Sequence, residues 1–111
     1  MNQYDVYLAD LNPTIGREQR GKRPVLIISN NYENLLDVVT ILPLTSLKKN
    51  RRVYPNEVLL KDELEKPSLV LCQQIRTISK ERLVKRLTNI ENPFKRNEII
   101  KILCRRFEEM D

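Results

Sequence analysis

Apolar positions along the chain fall first in short blocks and only near the end at helical spacing. Tyr4–Leu11 ("YDVYLADL") is apolar on both alternating faces and stops at the turn pair Asn12-Pro13. Pro24–Asn30 ("PVLIISN") is a continuous β-branched run, too short for a buried helix, and predicts a core strand closed by Asn30-Asn31. Val38–Thr45 ("VVTILPLT") is a second such run, in which Pro43 predicts a bulge or an edge because it cannot donate to a ladder. Asn56–Leu60 ("NEVLL") reads as a short edge strand. Ser68–Ile78 ("SLVLCQQIRTI") reads as the longest strand, and Leu83–Ile90 ("LVKRLTNI") as a weaker one.

The period then changes. Asn92 suits an N-cap and Pro93 the first helical position. Ile99, Ile100, Leu103, Cys104 and Phe107 follow at three- and four-residue spacing, which predicts one helical stripe on a core. Five or six short strands with short connections, followed by one helix, predict a mainly β fold: a small, strongly bent antiparallel barrel capped by the helix.

Composition narrows the picture. The 111 residues are 41% hydrophobic, which predicts one domain over 1–111 able to fold without metals or disulfides. No apolar run reaches transmembrane length and the N-terminus has no signal-peptide pattern, so a cytoplasmic protein is expected, with no membrane partner. Cys72 and Cys104 each sit in an apolar segment, predicting two buried free thiols. There is no histidine, which removes the common zinc constellations and the usual general base. Twenty Lys and Arg against fifteen Asp and Glu give +5, and the excess sits mainly in connections. Gly16–Arg23 holds Arg17, Arg20, Lys22 and Arg23 against Glu18. Lys48–Arg52 holds four cations with none opposing, and Lys80–Arg86 nets three. One such loop reads as solvated charge; three on a small domain point to a polyanion in a focused field. With four Tyr, two Phe and no Trp, base stacking is not its main grip.

The stretch "DVYLADLNPTIGREQRGKRPVLIISN" resembles the N-terminal signature of the MazF/PemK toxin endoribonucleases. Asp5, Tyr7, Asp10, Leu11, Pro13, Gly16, Glu18, Gln19, Gly21, Arg23 and Pro24 fall in register with it. "LPLTS" resembles the family's second block and "QIRTISKERL", Gln74–Leu83, its third, so the likeness spans residues 4 to 87. The resemblance implies an SH3-like barrel assembled as a homodimer. It further implies a toxin that cuts single-stranded RNA at short sequences without metal or cofactor, leaving a 2′,3′-cyclic phosphate and a 5′-hydroxyl. A cognate antitoxin is the implied partner, expected to fill the basic groove with an acidic, partly disordered tail.

Such chemistry suits a site without histidine. RNA supplies its own 2′-OH nucleophile, so alignment and charge stabilisation remain the enzyme's task. By alignment Arg23 is the family's catalytic arginine, a permanently charged fork matched to phosphate oxygens, and Pro24 restricts its backbone. Thr45 matches the catalytic threonine, whose hydroxyl can donate to a non-bridging oxygen. Glu18 either accepts the 2′-OH proton or orients Arg23 through an ion pair, or contacts RNA. Arg17, Arg20, Lys48 and Lys49 are assigned to phosphate contact, which positions without reading bases. Gln19, Lys22 and Ser46 join the RNA-binding set. Gln74 and Arg76, placed on one strand face by alternation, either hold the barrel or bind RNA.

Two departures stand out. Gln73 occupies the place of a glutamate common in the third block, which leaves a nearby cation short of a partner. Arg17 and Arg20 replace the small residues frequent in that loop. Two other functions are weighed. A CcdB-like gyrase poison depends on a C-terminal tryptophan segment, whereas this chain has no Trp and ends in "EEMD". A non-catalytic RNA-binding barrel is opposed by the presence of Arg23 and Thr45.

Overall fold

A computed structural model describes residues 1–110. Among these, the strands are β1 (Asp5–Asp10), β2 (Lys22–Ile27), β3 (Val38–Ser46), β4 (Glu57–Leu60), β5 (Ser68–Leu71), β6 (Arg76–Ser79) and β7 (Leu83–Asn89), followed by the helix α1 (Pro93–Arg105). Every pairing is antiparallel, in the order β4-β5-β3-β2-β1-β7, with β6 paired to β3. Asn56–Leu60 is the expected edge strand: β4 pairs only with β5.

β3 is the spine. On one side residues 41–43 pair with β2; on the other, 38–41 pair with β6 and 44–46 with β5. Pro43 makes neither the bulge nor the edge expected of it. It falls in the gap between the β6 and β5 ladders, where a missing N–H is tolerated. The strand passes there from one sheet to another, which is how seven short strands curl into a barrel.

The continuous apolar runs are explained by burial of both strand faces. Val25, Ile27, Val39 and Ile41 join Ala9, Leu11 and Ile78 in one cluster. The alternate positions Leu26, Ile28, Leu42 and Leu44 join Val6, Val58, Leu60, Val70, Ile90 and Ile99 in another, against which the helix packs. Burying one such aliphatic side chain is worth roughly 1.5–3 kcal/mol.

The helix begins as expected. Asn92 Oδ1 accepts from the amides of Phe94 at 2.9 Å and Lys95 at 3.4 Å, and Pro93 follows it. The buried stripe is Ile99 with the partly buried Ile100, Ile102 and Leu103. Two expected members fall outside it. Cys104 is exposed because it lies five residues from Ile99, about 140° round the helix. Phe107 is 74% exposed because the helix ends at Arg105. Only Cys72 is a buried thiol, and desolvation pushes its pKa up to about 11.

The expected long strand Ser68–Ile78 is two strands. A 3-10 turn at Cys72–Gln74 separates β5 from β6, and they pair with different halves of β3. The switch from apolar to polar character in the sequence marks that break.

Candidate functional site

β1 and β2 are joined by a loop braced from within. The Leu11 amide donates to the Gly21 carbonyl at 3.0 Å, and the Gly21 amide to Asn12 Oδ1 at 3.1 Å. Gly16 and Gly21 stand at φ +61° and +78°, the left-handed region where a Cβ is strained, so the turns need glycine there. Arg20 Nη2 donates to the Gly16 carbonyl at 2.7 Å, and Glu18 Oε1 accepts from the Ile15 amide at 3.1 Å.

The same loop is fastened to the turn between β5 and β6. The Gln19 amide donates to Gln74 Oε1 at 2.8 Å, and Glu18 Oε2 faces Arg76 Nη1 at 3.8 Å. Gln74 lies in the 3-10 turn and Arg76 in β6, so strand alternation does not relate them as expected. They converge instead on a cavity of about 210 Å³, lined also by Glu18, Gln19, Pro43 and Gln73.

Arg23 follows this loop at the start of β2, and Thr45 lies two residues beyond Pro43 near the end of β3. β2 pairs with β3 through Val25–Pro43, Leu26–Leu42 and Ile27–Ile41. Continued two residues, that register sets Arg23 opposite Thr45. The ladder ends before reaching them: Arg23 pairs across β1 with Ala9, and Thr45 across β5 with Leu69. Both are half-buried. Arg23 Nε donates to the Arg20 carbonyl at 2.7 Å, which aims the guanidinium while no protein partner holds its Nη groups among the described residues. Glu18 does not orient Arg23, as one reading had it. Its ion pair is with Arg76, and the Arg20 carbonyl does the orienting.

The charge map also differs from the sequence reading. Arg17, Arg20, Lys22, Ser46, Lys48 and Lys49 are exposed, and Gln19 is half-buried. In the Lys48–Arg52 loop, Arg51 is held bidentately by the buried Glu57, at 2.9 Å to each carboxylate oxygen. The Arg51 hydrogen bonds, against the cost of burial, hold the Glu57 carboxyl below its ordinary range, and Glu57 raises Arg51 in turn. Arg52 lies over the Tyr54 ring at 5.7 Å.

Lys80–Arg86 is not a free cationic loop either. Lys80 Nζ donates to the Asn34 carbonyl and Arg82 to those of Asp10 and Asn12, while Arg86 Nε meets Asp5 Oδ1 at 3.3 Å. Asp5 and these carbonyls come from distant elements and leave no trace in the local sequence, whereas Glu57 lies only six residues from Arg51. Of that stretch's cations only Lys85 is exposed with no protein partner among the described residues.

The comparisons with known proteins now bear on this geometry. The family model described as "PemK-like, MazF-like toxin of type II toxin-antitoxin system" matches residues 2–103. The chain belongs to this family. It is 40% identical over 95 residues to the endoribonuclease MazF of Staphylococcus saprophyticus, covering 83% of this chain and 79% of that one. It is 36% identical over 91 residues to the endoribonuclease EndoA of Bacillus subtilis, covering 79% and 78%. Among solved structures, MazF of Deinococcus radiodurans superposes with a TM-score of 0.79 at 26% identity, over 93% of this chain and 92% of that one. A mycobacterial endoribonuclease in complex with its cognate antitoxin gives 0.77 at 27%, over 95% and 92%. Membership in the toxin family removes the gyrase-poison reading and agrees with the barrel-plus-helix architecture. No helix among the described residues is long and apolar enough to cross a membrane.

Proposed function

We propose that this MazF-like endoribonuclease toxin cleaves single-stranded RNA, without a metal, by attack of a ribose 2′-OH on the adjacent phosphorus. The new O–P bond closes a 2′,3′-cyclic phosphate as the 5′-oxygen leaves and takes up a proton as the 5′-hydroxyl. The observation that supports this reading is Arg23, whose Nη groups have no protein partner among the described residues, beside a braced cationic loop, with Thr45 near the end of the neighbouring strand and both partly exposed.

In-line attack gathers negative charge on the non-bridging oxygens. The unpartnered Nη groups of Arg23 supply paired donors for that charge, and the Thr45 hydroxyl supplies a third. Because Nε is tied to the Arg20 carbonyl, this fork is set before substrate arrives, and the reorganisation cost is small. Glu18 is the one carboxylate in that loop, and it serves as the acceptor for the 2′-OH proton or holds Arg76 in place. Arg17, Arg20, Lys22, Lys48 and Lys49 track the backbone as phosphate contacts. Gln19, Ser46, Gln74 and Arg76 complete the RNA surface.

Family membership supports the rest of the reading. The chain acts as one cytoplasmic toxin domain over residues 1–111, assembled as a homodimer. An antitoxin with an acidic tail occupies the basic mouth and blocks RNA. The test uses mixed-sequence single-stranded RNA in EDTA, with wild type beside Arg23→Ala and a parallel substrate carrying a 2′-deoxyribose at the main cut. Cleavage abolished by either change supports the mechanism. RNA bound but uncut by wild type, with binding unaffected by the mutation, would replace it by the binding-module reading.

A further inference from the structure

The peptide unit that joins Arg20 to Gly21 is held at both ends. Its carbonyl accepts from Arg23 Nε at 2.7 Å, and its N–H donates to Asn12 Oδ1 at 3.1 Å. This peptide is trans, so its C=O and N–H point in opposite directions, and holding the one sets the other. Gly21 stands at φ +78°, and a residue without Cβ lets the adjoining peptide plane rotate where another would resist. Turned half round, the unit would bring its N–H to Arg23 Nε, donor against donor. Asn12 opposes that rotation. Only the oxygen of its side-chain amide can meet an N–H. Its main chain is tied separately to the barrel. The Asn12 amide donates to Asp10 Oδ1 at 3.0 Å, and its carbonyl accepts from Arg82 Nη1, which reaches over from the 3-10 turn Lys80–Arg82 before β7.

We propose that Asn12 is a positioning residue for the Arg23 guanidinium, acting through the Arg20–Gly21 peptide. The proposal rests on the endoribonuclease reading above and adds to it a residue outside the RNA-contacting set. The bond from Nε to the Arg20 carbonyl is the only hydrogen bond that the Arg23 side chain makes among the described residues. An arginine side chain has many rotamers, and an acceptor on Nε is what turns both Nη groups the same way, as a fork for phosphate oxygens requires. With that carbonyl turned aside, Arg23 keeps its charge and still attracts RNA. The direction of its donors is lost. The signature is therefore a fall in kcat with KM little changed, since a displacement of about 1 Å in a catalytic group costs roughly 10²-fold in rate.

The test compares wild type, Asn12→Ala and Asn12→Asp on a short single-stranded RNA with one mapped cut, measuring kcat and KM separately. Alanine removes the acceptor; aspartate keeps one in the same place. Asn12 is exposed and its main-chain ties survive substitution, so both variants should fold. Asn12→Ala is expected to lower kcat by about tenfold to a hundredfold with KM within about twofold, and Asn12→Asp to restore most of the loss. In parallel, NMR follows exchange of the Arg23 Hε proton with solvent, which a held hydrogen bond slows. Asn12→Ala should speed that exchange by about tenfold, and Asn12→Asp should not. A folded Asn12→Ala enzyme with kcat and Hε exchange both unchanged overturns the proposal, and so does an equal loss in the two variants. If Asn12→Ala does not fold, Asn12→Leu, which keeps the branching and lacks the acceptor, decides by the same criteria. If wild type cuts nothing, the endoribonuclease reading fails, and Hε exchange alone then decides whether Asn12 aims Arg23.

Discussion

Asp5 is the residue whose removal should cost most for its size. It is 2% exposed, in the first strand, and it ties three elements together. Its carboxylate accepts from the Asn2 amide at 2.8 Å, Asn89 Nδ2 at 2.9 Å and Arg86 Nε at 3.3 Å. Asn89 in turn accepts from Arg96 Nη2 at 2.8 Å, and the Arg96 guanidinium lies 4.5 Å over the Tyr4 ring, so β1, β7 and α1 share one polar knot. Asp5→Ala removes the charged acceptor of the Asn2 amide and of Asn89 Nδ2, which keeps only the Gln3 carbonyl at 3.4 Å, and hydrogen bonds to a charged group are worth about 1.5–3 kcal/mol. The Arg86 pair adds little, because that side chain is 53% exposed and solvent screens it. A loss of about 2–3 kcal/mol is expected, which for a domain near this size lowers Tm by roughly 10–15 °C.

The pH dependence follows. Burial raises the Asp5 pKa, but the Asn89 and Asn2 hydrogen bonds and the Arg86 charge outweigh it, and the net shift is downward. A depressed pKa means the native state binds fewer protons than the unfolded state, so the contribution is present above the unfolded value of about 3.9. It is lost as pH falls through the lower folded value. Urea melts of wild type and Asp5→Ala from pH 7 down to pH 2 should therefore converge toward the acid end. A variant within about 0.5 kcal/mol of wild type at pH 7, or a stability gap that widens in acid, would refute the account of the knot.

Three further outcomes are expected. Thr45→Val should lower kcat on RNA by about 10²–10³ by removing one donor, while its Tm stays within a few degrees of wild type; an equal fall in both would move Thr45 into the framework. Lys48→Ala with Lys49→Ala should weaken binding of an uncleavable deoxy-substituted RNA and reduce its log–log salt slope by about 1.4, as two lost phosphate contacts on a single strand require. Titration with a thiol reagent at pH 8 should label Cys104 quickly and Cys72 only on unfolding, since Cys72 is buried and its pKa is pushed up to about 11; two fast thiols would contradict the packing of α1.

Several features were legible in the sequence because their causes are local. Asn92-Pro93 starts the helix through side-chain and backbone geometry a few residues long. The apolar runs of β2 and β3 mark strands buried on both faces. Arg23 and Thr45 are legible only through their resemblance to the family's blocks, since each alone is an ordinary strand residue.

Tertiary structure decided the rest, because it depends on which distant groups meet. Cys104 and Phe107 carry the helical period yet face water, since the core covers only the stripe through Ile99 and the helix stops at Arg105. The expected long strand breaks at Cys72–Gln74 because its halves pair with different parts of β3. Arg51, Arg82 and Arg86 read as free charge, but Glu57 engages the first from six residues on, and the Asp10 and Asn12 carbonyls and Asp5 engage the others from across the chain. Sequence lists donors and acceptors, and only the folded chain determines which of them find a partner.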